Sequence, residues 1–177
     1  YMLFPQDLNA WHAKLREEVI DPDREIVDPH HHLWPERLGS HYELDDLWAD
    51  TESGHRVTQT VFIECGVGYD RDNAAPFDPV NETRYVAGLA AKAAEQPEKA
   101  QIAAIVANAD LRLEPETLNA VLDAHLEASP LFRGIRHAGA YDPEREKIMF
   151  KGGTHPNLYG EADFRRGVDL LGARGLT

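Results

Sequence analysis

Ile102-Ala103-Ala104-Ile105-Val106-Ala107 is an unbroken apolar run. A strand with one solvated face alternates apolar and polar residues, because successive side chains point to opposite sides of the pleat. This run does not alternate, so both of its faces are expected to be covered, as they are in a parallel sheet. Upstream, Val86, Leu89, Ala90 and Ala93 recur at helical spacing behind Asn81, a residue suited to an N-cap, and the pattern stops before Pro97. Downstream, Pro115 is placed to open a second helix, with Leu118, Val121, Leu122 and Leu126 as its face.

The same alternation extends both ways. Val57-Thr58-Gln59-Thr60-Val61-Phe62-Ile63-Glu64-Cys65 is rich in β-branched residues and reads as a strand, as do Ile26-Val27-Asp28 and Phe132-Arg133-Gly134-Ile135-Arg136. Leu44, Leu47 and Trp48 mark a short helix over residues 43–50, closed by Gly54. A leading helix is expected over about 6–20, with Leu8, Trp11, Leu15 and Val19 on one side and Asp21-Pro22-Asp23 as its stop. After a polar stretch from His137 to Glu161 comes a last helix, capped by Asp163, with Phe164, Val168 and Leu171 inward and Gly175 at its end. A leading helix and about four strand–helix units make an α/β chain with a parallel sheet, and a doubly wound sheet or a (β/α) barrel would satisfy that order.

Composition bounds the partners. At 177 residues the chain is one domain's worth, and a formal charge of −13 argues against nucleic acid and against an anionic membrane surface, both of which are gripped by Lys and Arg. No apolar run is long enough for a membrane span. The opening residues Tyr1 to Asp7 lack the basic and apolar regions of a signal peptide, and the single Cys65 fits a reducing compartment, so a cytoplasmic location is expected.

The chemistry concentrates at the strand ends, where parallel α/β folds collect their ligands. In Asp28-Pro29-His30-His31-His32-Leu33-Trp34, residues 30 and 32 share one face of an extended chain and converge just beyond the first strand. Two such imidazoles can ligate a metal, move protons or grip an anion. Glu64, Asn108, Asp110, Arg136 and His137 fall at the ends of the other strands.

These segments together resemble the amidohydrolase superfamily, in its amidohydrolase-2 branch. Asp28-Pro-His30-His31-His32-Leu33-Trp34 is similar to the opening strand of that branch. Gly54-His55-Arg56-Val57 with Thr60-Val61-Phe62-Ile63-Glu64-Cys65 is similar to its second, and Asn108-Ala109-Asp110-Leu111 and Phe132-Arg133-Gly134-Ile135-Arg136-His137 to its third and fourth. The resemblance implies a TIM-type (β/α)8 barrel, of which residues 1–177 cover about the first four units as a single partial domain. It implies a hydrolase that opens a lactone or related cyclic ester of a small carboxylate or sugar-derived substrate. Related members of the branch decarboxylate aromatic or unsaturated acids, which is the alternative within the same fold. A non-catalytic half-barrel that binds a ligand or partner is the alternative of another class.

The family's further histidine and aspartate belong to the fifth and eighth strands, and Arg174-Gly175-Leu176-Thr177 stands where the fifth would begin. A complete barrel takes about 250 residues, and at least about 200. The expectation is therefore a fragment of a longer enzyme, with a natural half-length protein as the other option. Its two unprotected strand edges would invite a second copy or the missing half of the barrel.

Residue by residue, His30 and His32 are the expected catalytic pair and the expected ligands of a divalent metal such as zinc. Two imidazoles do not complete a site, since catalytic zinc takes three protein ligands and a water. Glu64 is expected to join them, and Arg136, with His137 beside it, is expected to bind a substrate carboxylate through its forked guanidinium. His31 should point the other way, and His125 is expected to be packed against its own helix face. His12, His41, His55 and His155 are expected at the surface or in caps, and Cys65 as an inert small side chain. Gly66-Val67-Gly68-Tyr69-Asp70-Arg71 partly mimics a dinucleotide loop, but Arg71 stands at the third glycine position and no convincing helix opens after it. No nucleotide cofactor is expected.

Overall fold

The computed structural model describes residues 10–15, 17–37, 40–69, 75–144 and 155–177. Strand β1 (Glu25–His31) runs into a hairpin of β2 (Trp34–Arg37) and β3 (Ser40–Tyr42), then helix α1 (Leu44–Thr51). Strand β4 (Arg56–Ile63), helix α2 (Pro79–Ala94), strand β5 (Gln101–Ala107), helix α3 (Pro115–Ala128), strand β6 (Phe132–Ile135) and helix α4 (Ala162–Ala173) complete the order. The main sheet is β1-β4-β5-β6, parallel throughout, and follows chain order without a reversal.

Register divides the sheet into two unlike faces. Phe62, Ile105 and Phe132 are partnered across three strands and are almost wholly buried under the helices. They join Val86, Leu89 and Ala93 of α2, Leu118, Val121 and Leu122 of α3, and Phe164 and Leu171 of α4 in one core cluster. The opposite face carries Val27, Val61, Ala104 and Val106, none of which belongs to that cluster. Val27 is 49% exposed, the other three are part-buried, and Ile63, the cross-strand partner of Val106 on this face, is buried at 9%. The apolar run of β5 is expected to be covered on both sides, and among the described residues its second side is only partly covered.

Several local expectations are corrected. Among the described residues of the leading segment 10–12 are helical and 13–15 and 17–20 are not, so the helix does not run on to Asp21 as expected; residues 6–9 and 16 lie outside the described residues. Trp11 and Leu15, expected on its apolar side, are 62% and 70% exposed. Helix α2 starts at Pro79, two residues before Asn81, because proline at the first helical position has its φ already set. Helix α4 takes Glu161 as its N-cap instead of Asp163. Leu126 and Val168, expected to face inward, are 42% and 45% exposed at the margins of their stripes.

Thr177 adds one step to the sheet. Its N–H donates to the Arg133 carbonyl (3.0 Å) and its carbonyl accepts from Ile135 N–H (2.8 Å), the two bonds of a parallel bridge centred on Gly134. Glycine is required there, since a Cβ would lie 2.1 Å from the Thr177 carbonyl oxygen.

Candidate active site

The C-terminal ends of the four strands form one rim. At its β1 corner the extended backbone sends alternate side chains to opposite faces. His31 goes to the helix side, 7% exposed and edge-on to Phe62, with no well-formed hydrogen bond to either ring nitrogen among the described residues and only a weak pull from the Val61 backbone. Burial pushes its pKa down to about 4, against the pull of Asp28. His30 and His32 go to the open side, and their Nε2 atoms stand 3.3 Å apart. His32 Nδ1–H donates to the Ile63 carbonyl (2.7 Å), which fixes the tautomer and makes its Nε2 the acceptor of the bond from His30 Nε2–H. The His30 backbone N–H donates to Asp28 Oδ1 (3.1 Å) and holds the turn. The tryptophan of β2, Trp34, lies 6.0 Å from His32 between ring centres and 6.2 Å from Tyr42 of β3, so the hairpin forms an aromatic wall beside the pair.

Glu64 and Arg136 meet one strand further on. Arg136 Nε–H donates to Glu64 Oε1 (2.8 Å), and a second guanidinium N–H bonds to the Glu64 carbonyl. The Arg136 carbonyl accepts from Asn108 Nδ2 (2.9 Å), and the Glu64 backbone N–H is tied to Val106 (2.8 Å). Each residue expected at a strand end is thus on the rim. Arg136 already has a carboxylate partner within the chain, and Oε2 of Glu64 and one guanidinium nitrogen of Arg136 remain unpaired among the described residues.

His137 turns away from Arg136. Its Nδ1 accepts from Leu111 N–H (3.2 Å), its ring meets Phe164 edge-on, and burial lowers its pKa. It sits instead in a second polar group, where Arg112 grips Asp110 through two nitrogens (2.9 and 2.8 Å) and donates to His155 Nε2 (2.6 Å). His155 Nδ1 is in turn 2.8 Å from Glu161. The arginine holds the Asp110 carboxyl below the usual carboxylate range. His125 is wholly buried, stacked on Phe132, and donates from Nε2 to the Asn108 carbonyl (3.1 Å). Its Nδ1 accepts from Thr83 (2.8 Å), and burial brings its pKa down to about 4.

Glu82 on α2 is a residue the sequence reading passed over. It is 1% exposed, and its Oε1 accepts the N–H groups of Cys65 (3.0 Å) and Val67 (2.8 Å). These are the amides of the glycine loop that partly mimics a phosphate cradle, and the chain's own carboxyl occupies them. Burial raises the Glu82 pKa and pushes the neighbouring Cys65 thiol up to about 12. The signal was available: 82, 86, 89 and 93 share one helical face, which puts an acid on the buried stripe.

Among the described residues no group of three or more His, Cys, Asp or Glu side chains comes together to hold a metal ion, so the site's metal-type donors are the two imidazoles. No helix among the described residues is long and apolar enough to cross a membrane.

No family model matches the chain, and no solved structure matches it. Among curated proteins it is similar to the uncharacterized protein y4mH of Sinorhizobium fredii, at 27% identity over 176 residues, covering 88% of this chain and 52% of the relative. The chain thus spans about half the length of the curated relative it matches.

Proposed function

We propose that this chain is the first half of an amidohydrolase-like (β/α)8 barrel whose whole form opens a lactone or related cyclic ester. The observation that carries the reading is the convergence of His30 and His32. Tetrahedral zinc with Zn–N bonds of about 2.0–2.1 Å places two ligand nitrogens about 3.3–3.4 Å apart. The two Nε2 atoms stand at 3.3 Å, and the backbone anchor on His32 Nδ1 is the second-shell bond that ligating histidines make. The donor set therefore fits a divalent metal, with further ligands to come from outside the described residues. A metal bound there would polarise the ester carbonyl and lower the pKa of water.

The chain's own residues supply the rest. Arg136, held by Glu64 and Asn108, presents its remaining N–H groups to a substrate carboxylate or carbonyl without first having to be ordered. The second oxygen of Glu64 is available to accept a proton or a substrate hydroxyl. The sequential strand order supports a barrel arc over a doubly wound sheet, whose order reverses at a switch point. The step added by Thr177 and the doubled length of the relative support it as well.

The test is titration of zinc into the chain, followed by lactone opening in the longest product of its gene. Metal uptake and turnover should both be lost in the His30→Ala/His32→Ala variant. Equal turnover in that variant sinks the proposal, and carbon dioxide release in place of ring opening moves it to a lyase.

A further inference from the structure

We propose that Glu82 is a positioning residue for the Glu64–Arg136 pair, a role that rests on reading this rim as the reaction site. Glu64 is the first residue after β4, and the chain then turns through Cys65, Gly66 and Val67. Gly66 has φ +81°, so the amides on either side of it swing toward one point. A concavity of successive N–H groups of this kind binds an anionic or strongly accepting oxygen. Glu82 Oε1 fills it, at 3.0 Å from Cys65 N and 2.8 Å from Val67 N.

The Glu64 segment is therefore clamped on both sides. Its own N–H is bonded to β5, and the residue after it is bonded to α2. Between those clamps the Glu64 carbonyl and carboxylate both hold Arg136. A change at Glu82 moves the loop amides first and the guanidinium next, although Glu82 makes no bond to either partner of the pair.

The position is costly, which argues that it does more than pack. Glu82 lies on the buried stripe of α2 between Val80 and Val86, where its carboxyl loses its hydration and the two loop amides return only part of that loss. Its Oε2 is buried without a hydrogen-bond partner among the described residues. A polar group kept in the core with one atom unsatisfied belongs to the small set of local rules that proteins break beside functional sites. Burial raises the Glu82 pKa, and the two amide bonds pull the other way.

The experiment follows the Arg136 Nε–H resonance by nitrogen-15 NMR in the full chain, assigned by its loss in Arg136→Lys. Glu82→Gln keeps an acceptor in the same place and should leave the resonance and its exchange rate at wild-type values. Glu82→Met keeps the length and removes the acceptor; it should shift the Arg136 signal with those of Cys65 and Val67, and speed its exchange at least tenfold. A wild-type Arg136 signal in Glu82→Met overturns the proposal, as does a Glu82→Gln signal displaced as far as that of the methionine variant. Should Glu82→Met fail to fold, Glu82→Asp withdraws the carboxyl by one methylene and is read the same way. The readout needs no turnover, so absence of lactone opening would remove the functional reading and leave this result standing.

Discussion

Three consecutive histidines have two different fates, and the alternation of an extended chain is the reason. His30 and His32 face the open side and meet at Nε2, whereas His31 is driven under the helices with no well-formed hydrogen bond to either ring nitrogen among the described residues. A buried polar ring without a well-formed hydrogen bond stabilises little, so the volume-conserving change His31→Leu should leave the thermal midpoint unchanged or raise it, within about 1 kcal/mol. A loss of several kcal/mol in calorimetry would show that His31 has a partner after all. His125 is the contrasting case, buried and bonded at both nitrogens. Its folded pKa of about 4 lies below the ordinary 6.5, so the unfolded chain binds the extra proton. Its contribution is complete above pH 6.5 and drains away as pH falls toward 4. At about 1.4 kcal/mol per pH unit the total is on the order of 3 kcal/mol. Urea midpoints of wild type and His125→Asn, compared from pH 7 to pH 4, should converge on acidification; parallel curves would mean that His125 takes up its proton in the fold at its ordinary pKa.

At the scale of elements, what was legible in the sequence was whatever a local period could encode. Strands β4 and β5 declared themselves through β-branched runs, and α1 through Leu44, Leu47 and Trp48. The hairpin β2–β3 did not, because strands of four and three residues have no room for a period and exist through pairing with each other. The leading segment is the opposite case: its apolar spacing is present, yet residues 13–15 and 17–20 are not helical, and Trp11 and Leu15 are largely exposed. The site divides the same way. The His30/His32 pair follows from i and i+2 in one strand, while Glu64 and Arg136 are 72 residues apart and their bond depends on strand order, which no local pattern reports. Glycines mark where elements come closest. A Cβ at Gly167 would lie 2.1 Å from the Leu111 carbonyl, so α4 is seated directly on the loop that carries Asp110. Gly167→Ala should cost about 1–3 kcal/mol and raise hydrogen exchange across residues 110–113. A variant as stable as wild type would mean that the helix shifts freely, and that α4 does not set that loop.

Among the described residues the sheet has one dry face and one partly open face, and the His30/His32 pair sits at the upper edge of the latter. If a second half completes a barrel, that face becomes its interior and Val106 is sealed within it. If the chain works as it stands, Val106 remains part-buried at a surface that water reaches. One substitution therefore carries opposite consequences. In the 177-residue chain, Val106→Lys can extend its ammonium into water and should change the urea midpoint by less than about 1 kcal/mol. It should also reduce the self-association that an uncovered apolar face and open strand edges promote, seen as a lower weight-average mass in sedimentation at high concentration. In a longer product of the gene the same lysine would be buried without a partner. Breaks of that kind fall in the largest class of single-site losses, about 4 kcal/mol or more. A large loss already present in the short chain would mean that the open face is covered within these residues. A negligible loss in the long form would mean that its added half packs elsewhere, and the barrel reading would fall with it.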